Sequence, residues 1–348
     1  MAPAAVDTAA TASDNGAPDA TVLALRKTLV NEAEPLARRF RALFSLKFLA
    51  CQEGEPTAQT LQAIDAIADG FSSSSALLKH ELAYCLGQSR NPHSVPYLRK
   101  VLEDKQEDAM CRHEAAEALG ALGYEESLEL LRRLRDAPDE LDVITETCDI
   151  AVARIEWEHS KERQAEKLKQ RYGGAIDFTS IDPAPPMPQE SQKPSIEELE
   201  KAYLDTKLPL FKRYRAMFAL RDLASPPDLP TAVPAVNALA KGLSDSSALF
   251  RHEVAFVFGQ LCHPASVPAL TACLSDTNEA GMVRHEAAEA LGSLGDEEGV
   301  EDTLRKFVND PEQVVRDSII VALDMAEFEK SGQVEYAIVP GKEEAIAA

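Results

Sequence analysis

Four dipeptides in this chain pair an imidazole with a carboxylate: His80 with Glu81, His113 with Glu114, His252 with Glu253, and His285 with Glu286. They use four of the seven histidines. Within each half the two dyads lie 33 positions apart, and corresponding dyads of the two halves lie 172 apart. Neutral imidazole and carboxylate are both metal ligands. Two imidazoles with one carboxylate make the facial donor set typical of non-haem Fe(II) with open coordination positions. The same donors also suit manganese and zinc. Metal binding is therefore the chemistry these residues point to, provided the fold brings each pair of dyads onto one face.

The dyads sit in helical patterns. SSALLKHELAYCLGQ and SSALFRHEVAFVFGQ carry the first dyad of each half, and RHEAAEALGALG and RHEAAEALGSLG carry the second. On the first of these helices Leu78, Leu82 and Cys85 form the apolar stripe. His80 is two positions from both leucines, about 200° around a helix of 3.6 residues per turn, and so points away from that stripe. His113 falls off the stripe of Ala115, Leu119 and Leu122 in the same way. A histidine satisfied within the ordinary core fits that placement poorly.

The helices recur as pairs. LARRFRALFSLKFLA (36–50) matches LPLFKRYRAMFALRDLA (208–224), placing Arg41 over Arg215 and Leu46 over Leu220. HSVPYLRKVLED with its RHE helix matches ASVPALTACLSD with its own. Helix pairs with a period in the thirties cannot bury an apolar face alone and must stack. The expected fold is all-α: a HEAT-repeat superhelical solenoid, in two halves of four helix-pair repeats related by internal duplication. Its parts are a disordered extension (1–21), an N-terminal half (22–157), a linker (158–195) rich in Gly and Pro, a C-terminal half (196–331) and a flexible tail (332–348). Equivalent helices of adjacent repeats lie ~10 Å apart, so His80 should face His113 and His252 should face His285. Opposed concave faces would then give two metals and a shared pocket.

Composition narrows the partners. Against 58 acidic residues stand 36 basic ones, a net charge of −22, which argues against nucleic acid and anionic membrane and suits a cationic partner. Six cysteines without a CxxC read as reduced, buried thiols of a cytoplasmic protein. The opening residues MAPAAVDTAATASDNGAPDA, with no basic segment or apolar run, do not read as a signal peptide, and no Walker or dinucleotide glycine motif appears. The serines at 72–75 and at 244, 246 and 247 precede helices and read as caps. Glu117 and Glu289, one turn beyond His113 and His285, read as ordinary helix-face glutamates rather than partners of the histidines. His93, His159 and His263 read as surface residues.

KHELAYCLGQ, the three RHE dyads and the linker segment YGGAIDFTSIDPAPP together resemble the deoxyhypusine hydroxylase family, over about residues 22–330. The resemblance implies a monooxygenase with two Fe(II) ions per chain and O2 as co-substrate. Its protein substrate would be translation initiation factor 5A, whose deoxyhypusine side chain becomes hypusine. It further implies that His80, His113 and Glu114 ligate one iron, that His252, His285 and Glu286 ligate the other, and that Glu81 and Glu253 bind the substrate amine. The chain would act as a cytoplasmic monomer. The main alternative is a non-catalytic HEAT-repeat scaffold gripping a basic protein. A chromophore lyase on the same repeats, or a di-zinc or di-manganese hydrolase, would also fit the residue types.

Overall fold

The computed structural model describes residues 19–52, 54–170, 180–187 and 194–331. The tail expected at 332–348, nearly all of the N-terminal extension, and the linker residues 171–179 and 188–193 lie outside the described residues. Every regular element among the described residues is helical. The first half pairs α1 (Ala20–Leu29) with α2 (Leu36–Ala50), α3 (Ala58–Asp69) with α4 (Ala76–Gln88), α5 (Val95–Glu103) with α6 (Ala109–Leu122), and α7 (Leu128–Arg135) with α8 (Asp142–Glu158). Helix α9 (Lys161–Gln170) falls within the linker. The second half pairs α10 (Ile196–Leu204) with α11 (Leu210–Leu223), α12 (Ala232–Ala240) with α13 (Ala248–Leu261), α14 (Val267–Ser275) with α15 (Gly281–Gly292), and α16 (Val300–Arg305) with α17 (Gln313–Ser331).

The second helices of the pairs carry the dyads, and their starts are set by local chemistry. Ser75 accepts from the Leu78 amide, Asp108 from Met110 and Ser247 from Phe250, so three of the four dyad helices have a side-chain cap. Neighbouring second helices approach closely because glycine stands at the contact. A Cβ at Gly87 would lie 2.8 Å from Ala118 Cα, and one at Gly120 would lie 2.9 Å from Ala151 Cα.

Register between neighbours is fixed by the basic residue before each dyad histidine. Lys79 pairs with Glu107 at 2.5 Å. Arg112 grips Glu140 through two bonds of 2.8 and 2.7 Å, Arg251 grips Glu279 at 2.7 and 2.6 Å, and Arg284 grips Asp310 at 3.0 and 2.5 Å. Each acidic partner lies just ahead of the next second helix in the stack. Arg112 and Arg284 also donate Nε to the Leu102 and Leu274 carbonyls, both at 3.0 Å, tying each dyad helix to its own partner helix. Forked charge-assisted bonds of this kind set orientation as well as distance.

The two halves close on each other. Arg41 of α2 holds Asp324 of α17 through bonds of 2.9 and 2.8 Å. Ser75 donates to Asp317 at 2.9 Å at that seam, and at the other seam Ser247 donates to Glu146 at 2.6 Å. Apolar packing crosses both seams: Val321 of α17 belongs to the first-half core and Ile150 of α8 to the second. The stack is thus a closed ring, with the dyad helices facing its centre.

Candidate metal centre

The ring gathers all four dyad histidines. Ring centroids of His80 and His113 are 5.5 Å apart, and those of His252 and His285 are 5.3 Å apart. Across the halves His80 lies 5.8 Å from His252 and 5.1 Å from His285, and His113 lies 5.1 Å from His252. His113 and His285 are 0 % exposed, so the helix face that avoids the inter-helix core is buried too, inside the ring.

Within each half the second-dyad glutamate reaches both histidines. Glu114 Oε2 lies 3.2 Å from His80 Nε2 and 3.9 Å from His113 Nε2. Glu286 Oε2 lies 3.5 Å from His252 Nε2 and 4.0 Å from His285 Nε2. Among the described residues three sets of donors converge within 4.8 Å: His252 with His285 and Glu286, His80 with His113 and His252, and His113 with Glu114 and Glu117. The second-half trio expected from the sequence is among them. In the first half Glu117 and His252 compete with the expected partners.

A cavity of about 230 Å³ opens on this centre. Six glutamates line it: Glu81, Glu114, Glu117, Glu253, Glu286 and Glu289. Phe40, Tyr84, Phe256 and Met325 supply its apolar wall. Tyr84 and Phe256, at the same place in the two duplicated helices, meet edge to face at 6.1 Å.

Electrostatics here are unfavourable without cations. Burial, reinforced by the neighbouring imidazoles, pushes His113, His252 and His285 well below the ordinary histidine range and keeps them in the neutral, ligand form. Burial also works to depress His80, but Glu114, Glu81 and Glu289 around it raise it to about 9. Burial and mutual repulsion lift Glu81 to about 7, burial lifts Glu289 to the same level, and Glu117, Glu253 and Glu286 are pushed well up. Among the described residues seven buried imidazole nitrogens, on His80, His113, His252 and His285, make no well-aligned hydrogen bond, His80 Nε2 included despite its approach to Glu114, and neither does Glu253 Oε1. An unpaired buried polar atom costs about 1–3 kcal/mol. A divalent cation would take the lone pair of one nitrogen on each ring and offset the crowded carboxylates, so the residues fit a metal pair.

Several expectations need correction. Glu117 and Glu289 are cavity residues rather than ordinary helix-face glutamates, because four positions from a histidine is the same helix face. His263 is buried, its Nδ1 accepting from the Ala265 amide to cap a short helical turn. Cys262 is exposed, and Cys51 and Cys273 are half-buried. All six cysteines are free thiols. Among the described residues no helix is long and apolar enough to cross a membrane.

The linker also contributes more than spacing. Residues 180–187 form a strap held by Gln88 and Gln260, the matching last residues of the KHELAYCLGQ and RHEVAFVFGQ stretches. The Gln88 amide exchanges bonds of 2.7 and 3.2 Å with the Ile181 backbone. Gln260, a cavity-lining residue, donates to Ser180 Oγ at 2.8 Å and Asp182 Oδ1 at 3.1 Å. Arg221 of α11 anchors Asp182 at 2.7 Å, and Arg215 accepts the Met187 amide on its carbonyl at 3.0 Å.

Fold and site together define a HEAT-repeat protein with a buried histidine–glutamate centre. The HEAT repeats family matches residues 64–147 and 236–324. The chain is 72% identical over 340 residues to a deoxyhypusine hydroxylase of Aspergillus clavatus, covering 98% of each chain. It is 74% identical over 322 residues to that of Aspergillus oryzae, covering 92% of this chain and 93% of the relative. The solved structure of human deoxyhypusine hydroxylase in complex with glycerol superposes with a TM-score of 0.75 at 45% identity, over 88% of this chain and 96% of that one. This chain belongs to the deoxyhypusine hydroxylase family.

Proposed function

We propose that the chain hydroxylates the deoxyhypusine side chain of translation initiation factor 5A, using two iron ions and O2. His80, His113 and Glu114 would hold one iron, and His252, His285 and Glu286 the other. What carries this reading is the cluster of four buried imidazoles, each with a ring nitrogen unpartnered among the described residues, beside a cavity lined by six glutamates. A scaffold has no use for that arrangement, and it would cost the fold several kcal/mol without cations.

Two bound ferrous ions would supply two electrons and the place where O2 is reduced, one oxygen atom entering a C–H bond of the arm and the other leaving with two protons as water. The chain's own residues do the rest. Deoxyhypusine is a long aliphatic arm with two cationic nitrogens. Glu81 and Glu253 pair with those cations and fix which carbon faces the centre, an orientation effect. Phe40, Tyr84, Phe256 and Met325 cover the methylenes and exclude water. His113, His252 and His285 stay neutral, the form in which they donate to a metal. The six free thiols support a reducing compartment, consistent with work in the cytoplasm.

The test is direct. The iron-loaded chain, given reductant, air and the deoxyhypusine form of the factor, should add the mass of one oxygen atom to that side chain. No mass gain, with iron bound, would overturn the assignment.

A further inference from the structure

A metal takes one nitrogen of a neutral imidazole, and the other then carries the ring's hydrogen and needs an acceptor. In His285 the two nitrogens face two different glutamates. Nε2 lies 4.0 Å from Glu286 Oε2, the carboxylate expected to share its metal, and Nδ1 lies 3.8 Å from Glu289 Oε1. Glu289 is one turn further along α15, on the same helix face as His285. Ser318 of α17 stands beside that same carboxylate. His285 and Ser318 are both 0 % exposed. Among the described residues His285 Nδ1, Glu289 Oε1 and Ser318 Oγ make no well-aligned hydrogen bond, although a donor, an acceptor and a donor stand next to one another. The first half treats the matching hydroxyl differently. Gly292 of α15 meets Ala322 of α17 as Gly120 of α6 meets Ala151 of α8, which puts Ser318 where the first half has Thr147. Thr147 donates to the Val143 carbonyl of its own helix at 2.6 Å.

We propose that Glu289 is a positioning residue for the second-half metal: it accepts the Nδ1 hydrogen of His285, is itself steadied by the Ser318 hydroxyl, and so holds the ring with Nε2 turned to the ion. The separation of 3.8 Å exceeds a hydrogen bond of about 2.7–3.2 Å by roughly 0.6–1 Å. Rotation about the side-chain torsions of Glu289 spans that gap. A carboxylate behind a ligating histidine fixes its tautomer and orientation and makes it a better donor. The proposal rests on the two-metal reading and adds which group aims one of its ligands.

The experiment is an anaerobic Fe(II) titration against a competing chelator, without substrate, on the full chain and three variants. Glu289→Leu keeps the bulk and removes the acceptor, Glu289→Gln keeps an acceptor oxygen and removes the charge, and Ser318→Ala removes the hydroxyl. Loss of such a partner typically costs 10–100-fold in metal affinity. Glu289→Leu should therefore bind one of the two ions about 10–100-fold more weakly and the other as the parent does. Glu289→Gln should bind both close to the parent's affinity, and Ser318→Ala should show a smaller loss at one ion. Parental affinity in Glu289→Leu would overturn the proposal, since only the bulk would then matter. Equal weakening in Glu289→Gln and Glu289→Leu would also overturn it, since charge rather than an acceptor would then be at work. Parental iron binding in both, with binding of the deoxyhypusine form of the factor weakened, would make Glu289 a substrate ligand instead. Each of these leaves the two-metal reading standing. No uptake of Fe(II) by the parent would bring down that reading, and the proposal with it.

Discussion

His80 and His285 come from opposite halves of the chain, yet their ring centroids lie 5.1 Å apart. Nothing in their own helices brings them there. The contact exists because the stack closes on itself, so the seams govern the geometry of the centre.

The Arg41 to Asp324 fork should therefore matter to the site as well as to stability. Asp324→Ala removes one side of a half-buried, two-bond ion pair. We expect a loss of ~1–3 kcal/mol in denaturant unfolding and weaker metal retention against a chelator. Stability lost with chelator resistance unchanged would mean that the centre does not depend on this seam.

Arg112 should tolerate no conservative replacement. Its guanidinium is buried, holds the Leu102 carbonyl and forks onto Glu140 beside His113. Lysine keeps the charge but loses the fork. Arg112→Ala should cost ~3–5 kcal/mol by stranding Glu140. Arg112→Lys should fall between the variant and the parent in urea titration, and parent-like stability in Arg112→Lys would contradict the tether.

Division of labour among the glutamates gives a third expectation. Glu114→Gln and His113→Ala should lose the metal of the first half. Glu81→Ala should retain both metals and weaken substrate binding, since Glu81 lines the cavity while Glu114 is the glutamate that reaches both histidines. Metal analysis with a binding titration separates the cases. Equal metal loss in Glu81→Ala and His113→Ala would refute the division.

Asp222 should make stability depend on pH. Burial raises its carboxyl from its ordinary 3.8 to about 6, against the pull of Arg221. The fold thus favours the protonated form, and this contribution is lost as pH rises through about 6. About two pKa units at 1.36 kcal/mol each sets a ceiling of roughly 3 kcal/mol. Asp222→Asn should stabilise the protein at pH 8 by ~1 kcal/mol, after lost bonds to Arg221, and be near neutral at pH 4. Greater destabilisation at pH 8 than at pH 4 would contradict it.

Much of the fold and the centre was legible because duplication repeats the same residue types at the same spacing. The dyads, the helix pairs and the facing of His80 with His113 follow from period and helical angle alone. Glu117 and Glu289 were legible in principle, four positions after a histidine and thus on its face, but glutamate is common on exposed helices. The strap was not legible. Residues 180–187 have no periodicity, and their partners Gln88 and Gln260 lie far off in sequence, although the shared GQ ending of both helices was a signal.

The central claim is that the four dyads form one two-metal centre, and an anaerobic titration of the metal-free chain with Fe(II) tests it most directly. The account predicts two ions bound per chain, one left in His285→Ala, and none held in the double variant His113→Ala with His285→Ala. No uptake by the parent chain, or uptake unchanged in the double variant, would contradict it.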